Sequence, residues 1–127
     1  MRSHLKLLLL GLICAAAARA EVDKKAERNW KSKCASCHGA DGKGQTDQGK
    51  KMQVEDMSAA SWQKAKTDAQ IKTAIEDGAK KGDAVMEGFK DKLDPASIDA
   101  LTQYVRTLGG THAAKAKKAK KAKKATP

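Results

Sequence analysis

Residues 34–38 read Cys34-Ala35-Ser36-Cys37-His38, and this stretch decides how the rest of the chain is interpreted. The two cysteines are separated by two residues, so on a helical turn their thiols point toward the same side. The imidazole of His38 follows directly after the second thiol. The spacing therefore presents two sulfurs and one nitrogen ligand to a single group.

The first twenty residues have the three parts of a secretory signal peptide: a positive start at Arg2 and Lys6, an apolar run, and a small-x-small cleavage pattern at 18–20. The run is too short to span a bilayer. We therefore predict a signal peptide over residues 1–20 and a periplasmic location. A lipoprotein signal is the alternative because Cys14 lies in the run, although a bulky residue precedes it.

The basic charge of the chain is concentrated at its C-terminus. The formal net charge is +11, of which the signal segment carries three positive charges and residues 111–127 carry seven lysines, so residues 21–110 are nearly neutral at +1. The Lys/Ala repeats of 111–127 predict a disordered tail. The tail is either a solubilising end or a segment that steers the protein toward an acidic partner or an anionic membrane surface. Predicted export argues against specific nucleic-acid binding.

The segment 21–110 is poor in large apolar side chains. Val, Ile, Leu and Phe supply eleven of its ninety residues, about an eighth, below the roughly 20% that marks disorder-prone composition. Such a chain needs an added piece of core. A haem is a large apolar disc whose enclosure would supply the missing buried surface.

Cys-x-x-Cys-His is the attachment signature of c-type haem. In that chemistry Cys34 and Cys37 add to the two vinyl groups on one edge of the porphyrin, and His38 is the proximal iron ligand. Three other interpretations of the motif compete. A redox-active cysteine pair normally accompanies a βαβ pattern, which is not evident here. A structural zinc site needs about four ligands, and the mature chain offers only the remote His112 beyond the three residues of the motif; a chance match is the third.

Helical patterns predict an all-α domain with about three to five helices. A charged segment over 23–33 places Ala26 and Trp30 on one face. Thr67 to Gln70 has the form of a capping box, and Asp94-Pro95 opens the last helix. No alternating strand is evident, and the Gly-rich segment 39–66 is predicted to be a long functional loop.

The sixth iron position has three candidates, Met52, Met57 and Met86. A methionine is often adaptable core filler. Met52 and Met57 lie in the Gly-rich segment, whereas Met86 lies in a stretch predicted to be irregular, directly before the last helix. That position favours Met86 as the ligand across the haem from His38, with a packing role as the alternative.

The chain resembles the class I cytochromes c of the small bacterial type over roughly residues 23–109. Trp30 occupies the aromatic position four before Cys34, and the other matching segments are Leu101-x-x-Tyr104-Val105-Arg106, Asp77-Gly78-Ala79, Met86 and Phe89-Lys90-Asp91-Lys92-Leu93. The resemblance implies the cytochrome c fold, with loops wrapped around one haem c. It also implies attachment through Cys34 and Cys37, and axial ligation by His38 and Met86.

Two departures from that family affect single residues. Glu87 stands where a proline often follows the ligand methionine, and no proline is placed for its carbonyl to accept a hydrogen bond from His38 Nδ1, so another loop carbonyl is expected there. Trp62 either donates a hydrogen bond to a haem propionate or is a plain packing aromatic.

The predicted function is soluble, exported, single-electron transfer on one covalently bound haem. No acid/base pair or nucleophile constellation appears, so no enzyme is predicted. The expected partners are redox proteins with acidic docking surfaces, such as a membrane electron-transfer complex, a reductase or an oxidase. Two alternatives remain: a five-coordinate haem protein that binds small gases or acts as a weak peroxidase, and a binding module in which the tail is the main function.

Overall fold

The computed structural model describes residues 24–110, which form five helices and one β-hairpin. The predicted signal peptide at 1–20 and the predicted tail at 111–127 lie outside the described residues. Within 24–110, no helix combines the length and the apolarity needed to cross a membrane.

The first helix, α1, carries the Cys-x-x-Cys-His motif at its C-terminal end. Residues 24–29 are helical, Trp30–Cys34 form a π-helical turn, and Ala35–His38 complete the helix. Ala26 and Trp30, predicted to share one face of the helix, are both buried. A π turn widens the helix locally and is frequent at functional sites, and here it lies directly before the two cysteines.

The Gly-rich segment 39–66 is not a structureless loop, and in this respect the sequence-based prediction was wrong. It contains two short helices, α2 (Asp47–Lys51) and α3 (Ala60–Ala65). Thr46 caps α2 by accepting a hydrogen bond from the Gly49 amide at 2.8 Å. The cap satisfies a helix N-terminal N–H, and the low apolar content of the segment concealed the helix.

Helices α4 (Asp68–Asp77) and α5 (Pro95–Thr107) begin where the sequence indicated. Thr67 and Gln70 form the complete capping box of α4, and Asp94 caps α5 by accepting from the Ser97 amide at 2.9 Å. Both capping motifs depend on side chains close in sequence, so they could be recognised without tertiary information.

Between α4 and α5 lies an antiparallel hairpin, and the expectation that the stretch is irregular was wrong. Strands β1 (Gly78–Lys81) and β2 (Ala84–Glu87) pair with Ala79 opposite Met86 and Lys80 opposite Val85. The two-residue turn at 82–83 is Gly-Asp, a recognised hairpin signal. The four-residue strands are too short for their alternation to stand out.

The core lies where α1, α4 and α5 meet. The ring centroids of Trp30 on α1 and Tyr104 on α5 are 5.4 Å apart, and Ala26 on α1 is 2% exposed. Helices α4 and α5 pack against each other. The buried core cluster consists of Trp30, Met57, Ile71, Ile75, Phe89, Ile98, Leu101 and Val105. Several of these side chains also line the cavity described next.

Candidate functional site

One cavity of about 770 Å³ opens between α1, the segment that follows it, α4 and the hairpin. Ligand pockets commonly measure roughly 300–1,000 Å³, so the cavity has the size for an organic cofactor. All five site residues predicted from the sequence line it: Cys34, Cys37, His38, Trp62 and Met86.

The two thiols reach the cavity from the last turns of α1. Cys34 and Cys37 are both free and half-buried. Burial raises the pKa of the Cys34 thiol to about 11, so Cys34 is protonated near neutral pH. A redox-active cysteine pair has a depressed pKa instead, and the environment therefore disfavours that interpretation of the motif.

His38 ends α1 and is held in place by both its backbone and its ring. Its carbonyl accepts a hydrogen bond from the Gly44 amide at 2.8 Å, and its ring centroid lies 5.8 Å from that of Trp30. Burial lowers the pKa of the imidazole, so the ring is kept in the neutral form that binds metals.

The Nδ1 atom of His38 is buried and has no hydrogen-bond partner among residues 24–110. The loop carbonyl expected to orient the ring is therefore not found at this atom. The adjacent Gly39 carbonyl is already engaged, because it accepts from Trp30 Nε1 at 3.1 Å. A buried unpaired nitrogen is costly, and in the expected ligation Nδ1 would be the donor that orients the ring rather than the atom that binds iron.

Three methionines line the cavity, in different surroundings. Met57 is 7% exposed and belongs to the core cluster. The sulfur of Met52 accepts a hydrogen bond from Gln48 Nε2 at 3.3 Å. Met86, on β2, is half-buried, and none of the described hydrogen bonds involves its sulfur.

Trp62 borders the cavity from α3 and its indole N–H is already engaged. Trp62 Nε1 donates to Glu55 Oε2 at 3.2 Å. The Glu55 carboxylate therefore accepts the hydrogen bond from the Trp62 indole N–H that a haem propionate was expected to accept. A propionate role for Trp62 requires that Glu55 share or yield this donor.

Thr46 and Gly49 pack against the backbone of Cys37, a contact that the sequence did not predict. Thr46 donates a hydrogen bond to the Cys37 carbonyl at 3.0 Å, and Gly49 packs so closely that a Cβ there would lie 2.3 Å from the same oxygen. Thr46 followed by Asp47 is an N-cap signal that could have located α2. The contact with Cys37 depends on tertiary structure.

The side chains present fit a covalently attached haem. Two free thiols one helical turn apart, a neutral imidazole, and a large cavity with many apolar side chains in its walls meet its requirements. Within the described part of the chain, no group of three or more His, Cys, Asp and Glu side chains is arranged to hold a bare metal ion.

Comparison with known proteins gives a consistent result. The sequence profile of cytochrome c oxidase, cbb3-type, subunit III matches residues 21–105. The cbb3-type cytochrome c oxidase subunit FixP of Azorhizobium caulinodans is 36% identical over 87 residues, and that of Bradyrhizobium diazoefficiens is 30% identical over 86. Each alignment covers 68% of this chain and 27% of the relative. The chain therefore matches only about a quarter of the length of these relatives.

A solved structure gives the same assignment of the fold. The KustC0563 c-type cytochrome superposes with a TM-score of 0.59 at 31% sequence identity, over 65% of this chain and 95% of that one. The prediction of a mostly helical cytochrome c fold is confirmed. Because the family profile spans more than half of the sequence, the chain belongs to the c-type cytochrome family of the cbb3-type oxidase subunit III, a family whose cofactor is covalently bound haem c.

Proposed function

We propose that this chain carries single electrons on one haem c that is attached through Cys34 and Cys37 and ligated by His38 and Met86. One observation carries the proposal: all four side chains line the same cavity, although Met86 lies 48 positions after His38 in the sequence. The membership in a c-type cytochrome family supports the attachment chemistry.

The surroundings of the three methionines favour Met86 as the sixth ligand. Met57 is part of the packed core, so moving its sulfur to an iron would open a void there. Met52 is engaged with Gln48. Met86 lies on a short hairpin at the edge of the core, and none of the described hydrogen bonds engages its sulfur.

The protein residues have three tasks in this function. His38 supplies a neutral nitrogen, and Met86 supplies a thioether, a ligand that raises the reduction potential of haem iron. The buried Trp30 and Leu101 exclude water from one wall of the cavity, and a low local dielectric tunes the potential further. When bound, the haem supplies the one-electron chemistry.

The proposal includes the cellular setting. Residues 1–20 would direct export to the periplasm, 21–110 would form the haem domain, and 111–127 would remain a basic tail. The named relatives are subunits of cbb3-type cytochrome c oxidases, which supports a membrane electron-transfer complex as the partner. No reaction on a substrate is proposed, since the cavity residues described above offer ligands and packing groups rather than an acid/base pair.

The visible spectrum of the haem-loaded full-length protein tests the ligation. Ferric wild type is expected to show the weak red sulfur-to-iron charge-transfer band, and Met86→Ala is expected to lose it. Met52→Ala is the matched control, because Met52 lines the same cavity and should leave the band unchanged.

Two results would contradict the proposal. If the Met86→Ala protein keeps the band and Met52→Ala loses it, the sixth ligand is Met52. If wild type lacks the band and its reduced form binds carbon monoxide readily, the iron is five-coordinate and the protein is a gas-binding or peroxidase-like cytochrome.

A further inference from the structure

The chain that follows Met86 is tied to the C-terminal end of α4. The Phe89 amide donates hydrogen bonds to the carbonyls of Ile75 at 2.8 Å and Glu76 at 3.1 Å. The Lys90 amide donates to the Glu76 carbonyl at 3.2 Å. The last four carbonyls of a helix have no donor within the helix, so these amides pair with acceptors that α4 itself leaves free. Phe89 is also 8% exposed and belongs to the core cluster, so the backbone three residues after Met86 has a fixed position.

Two glycines allow the hairpin to pack this closely against α4. A Cβ on Gly88 would lie 2.5 Å from the Glu76 carbonyl oxygen and 2.8 Å from the Asp77 carbonyl carbon. Both are backbone atoms at the end of α4, which cannot move aside as the tip of a flexible side chain can. At the start of β1, a Cβ on Gly78 would lie 2.3 Å from the carbonyl oxygen of Met86 itself. The hairpin thus leaves α4 and returns to it through close glycine contacts on both sides of Met86.

A lysine joins the residue beside Met86 to the turn that follows it. Lys92 is paired with Glu87, and its Nζ lies 5.6 Å from the centroid of the Phe89 ring. The Lys92 amide also donates to the Phe89 carbonyl at 2.9 Å. The side chains of Lys92 and Glu87 are 49% and 70% exposed, and such exposed pairs contribute little. We therefore expect the Glu87–Lys92 pair to have a smaller effect on the position of Met86 than the Gly88 contact.

We infer that Gly88 and Lys92 are positioning residues for Met86: they fix the backbone beside it against α4, so that its thioether stays at the haem cavity, which Met86 lines. The inference rests on the proposed ligation by Met86. Glu87 stands where a proline often follows the ligand methionine in class I cytochromes c, and a proline would restrict the backbone there. A methionine side chain has three rotatable bonds, so a fixed backbone limits how far its sulfur can move from the iron. In this chain the contact with α4 supplies the restriction that the missing proline would give.

The test measures how readily an added ligand replaces Met86 on the iron of the full-length, haem-loaded ferric protein. Imidazole is the probe, because it binds the sixth position only when the thioether is off the iron. Its apparent dissociation constant is therefore inversely proportional to the fraction of the protein in which Met86 is unbound. The titration is followed in the visible spectrum of the haem. A substitution that merely lowers the global stability does not change this affinity.

Gly88→Ala is expected to raise the affinity for imidazole roughly tenfold or more. Its control is Gly82→Ala in the turn of the same hairpin, where a Cβ meets no atom, and a change of less than about twofold is expected there. Lys92→Gln is expected to raise the affinity about two- to fivefold, and Lys92→Arg to restore most of the wild-type value. The matched control is Lys72→Gln, which also removes one positive charge and one ion pair. Lys72 is paired with Asp99 at 2.7 Å, between α4 and α5, so its removal should leave the imidazole affinity unchanged.

Equal imidazole affinities of the Gly88→Ala and Gly82→Ala proteins would overturn the inference, because a distortion anywhere in the hairpin would then account for the change. If Gly88→Ala yields no folded protein, the lysine variants decide, and equal affinities of Lys92→Gln and Lys72→Gln would overturn the inference.

The Met86→Ala protein separates a failure of this inference from a failure of the proposed function. If it binds imidazole much more tightly than wild type while the Gly88 and Lys92 variants do not, Met86 is the ligand but other residues position it. If it binds imidazole no more tightly than wild type, the proposed ligation itself fails.

Discussion

Arg106 on α5 holds the end of α3 and the start of α4, about forty residues earlier in the sequence, and its removal should be among the most damaging changes outside the cavity. Its guanidinium donates at 2.6 Å to the carbonyls of Gln63 and Lys66 and at 2.6 Å to Asp68 Oδ1. The side chain is 25% exposed. These bonds hold the end of α3 and the start of α4 against α5.

The expected cost of Arg106→Ala follows from these contacts. A hydrogen bond from a charged donor contributes about 1.5–3 kcal/mol, and the lower end applies to a partly exposed group. Two carbonyl bonds therefore contribute about 3 kcal/mol, and the pair with the largely exposed Asp68 adds less than about 1 kcal/mol. The total is about 3–4 kcal/mol; for a domain of this size, 1 kcal/mol corresponds to roughly 4–8 °C in Tm, so a loss of roughly 12–32 °C is expected.

The assay is thermal and guanidinium unfolding of the haem-loaded protein, followed by far-UV circular dichroism. Arg106→Lys should give an intermediate loss because an ammonium cannot reach all three acceptors in the same fork geometry. Lys31→Ala is the control, since Lys31 forms only an exposed pair with Glu27 one turn away. An Arg106→Ala protein no less stable than the Lys31→Ala protein would refute the reasoning.

Two further predictions concern single residues. Gly49→Ala should destabilise the protein by roughly 1–3 kcal/mol and lower the yield of covalent haem, because the new Cβ would lie 2.3 Å from the Cys37 carbonyl oxygen. In Gly82→Ala the new Cβ meets no atom and adds only the backbone strain of a positive φ of 59° at the hairpin turn, so the haem yield should stay unchanged; equal yields for both variants would contradict this. Hydrogen bonds from Ser97 hold the pKa of Asp94 well below its usual range, so the stability it contributes is fully present above the unfolded pKa of about 3.9 and is lost as the pH falls toward the folded value. Midpoints of guanidinium unfolding are measured from about pH 6 to about pH 2, the range over which carboxyl groups titrate. They should fall less steeply with pH for Asp94→Asn than for wild type, and parallel slopes would contradict the prediction.

Several features were predictable because their determinants are close together in the sequence. The Cys34 to His38 motif lies within five residues, the capping box of α4 within four, and the start of α5 depends on Asp94 and the proline beside it. Helical periodicity also predicted that Ala26 and Trp30 share one face of the helix, and both are buried. Each of these depends on one turn of backbone geometry, which is largely independent of the rest of the fold.

Other features depended on contacts that no local pattern encodes. The hairpin strands are four residues long, too short for their alternation to stand out, and helix α2 depends on Thr46, whose hydroxyl also reaches Cys37. The indole N–H of Trp62 donates a hydrogen bond to Glu55, so it is not free for a haem propionate.

By itself, therefore, the sequence determined the Cys-x-x-Cys-His motif at one end of α1 and the helical character of the domain, because both depend on neighbouring residues. Only the tertiary structure decided that Met86 shares a cavity with His38 and that Arg106 closes the fold from a distance of about forty residues. These arrangements arise when segments far apart in the chain bury a common core, and the positions they then occupy depend on how α1, α4 and α5 pack.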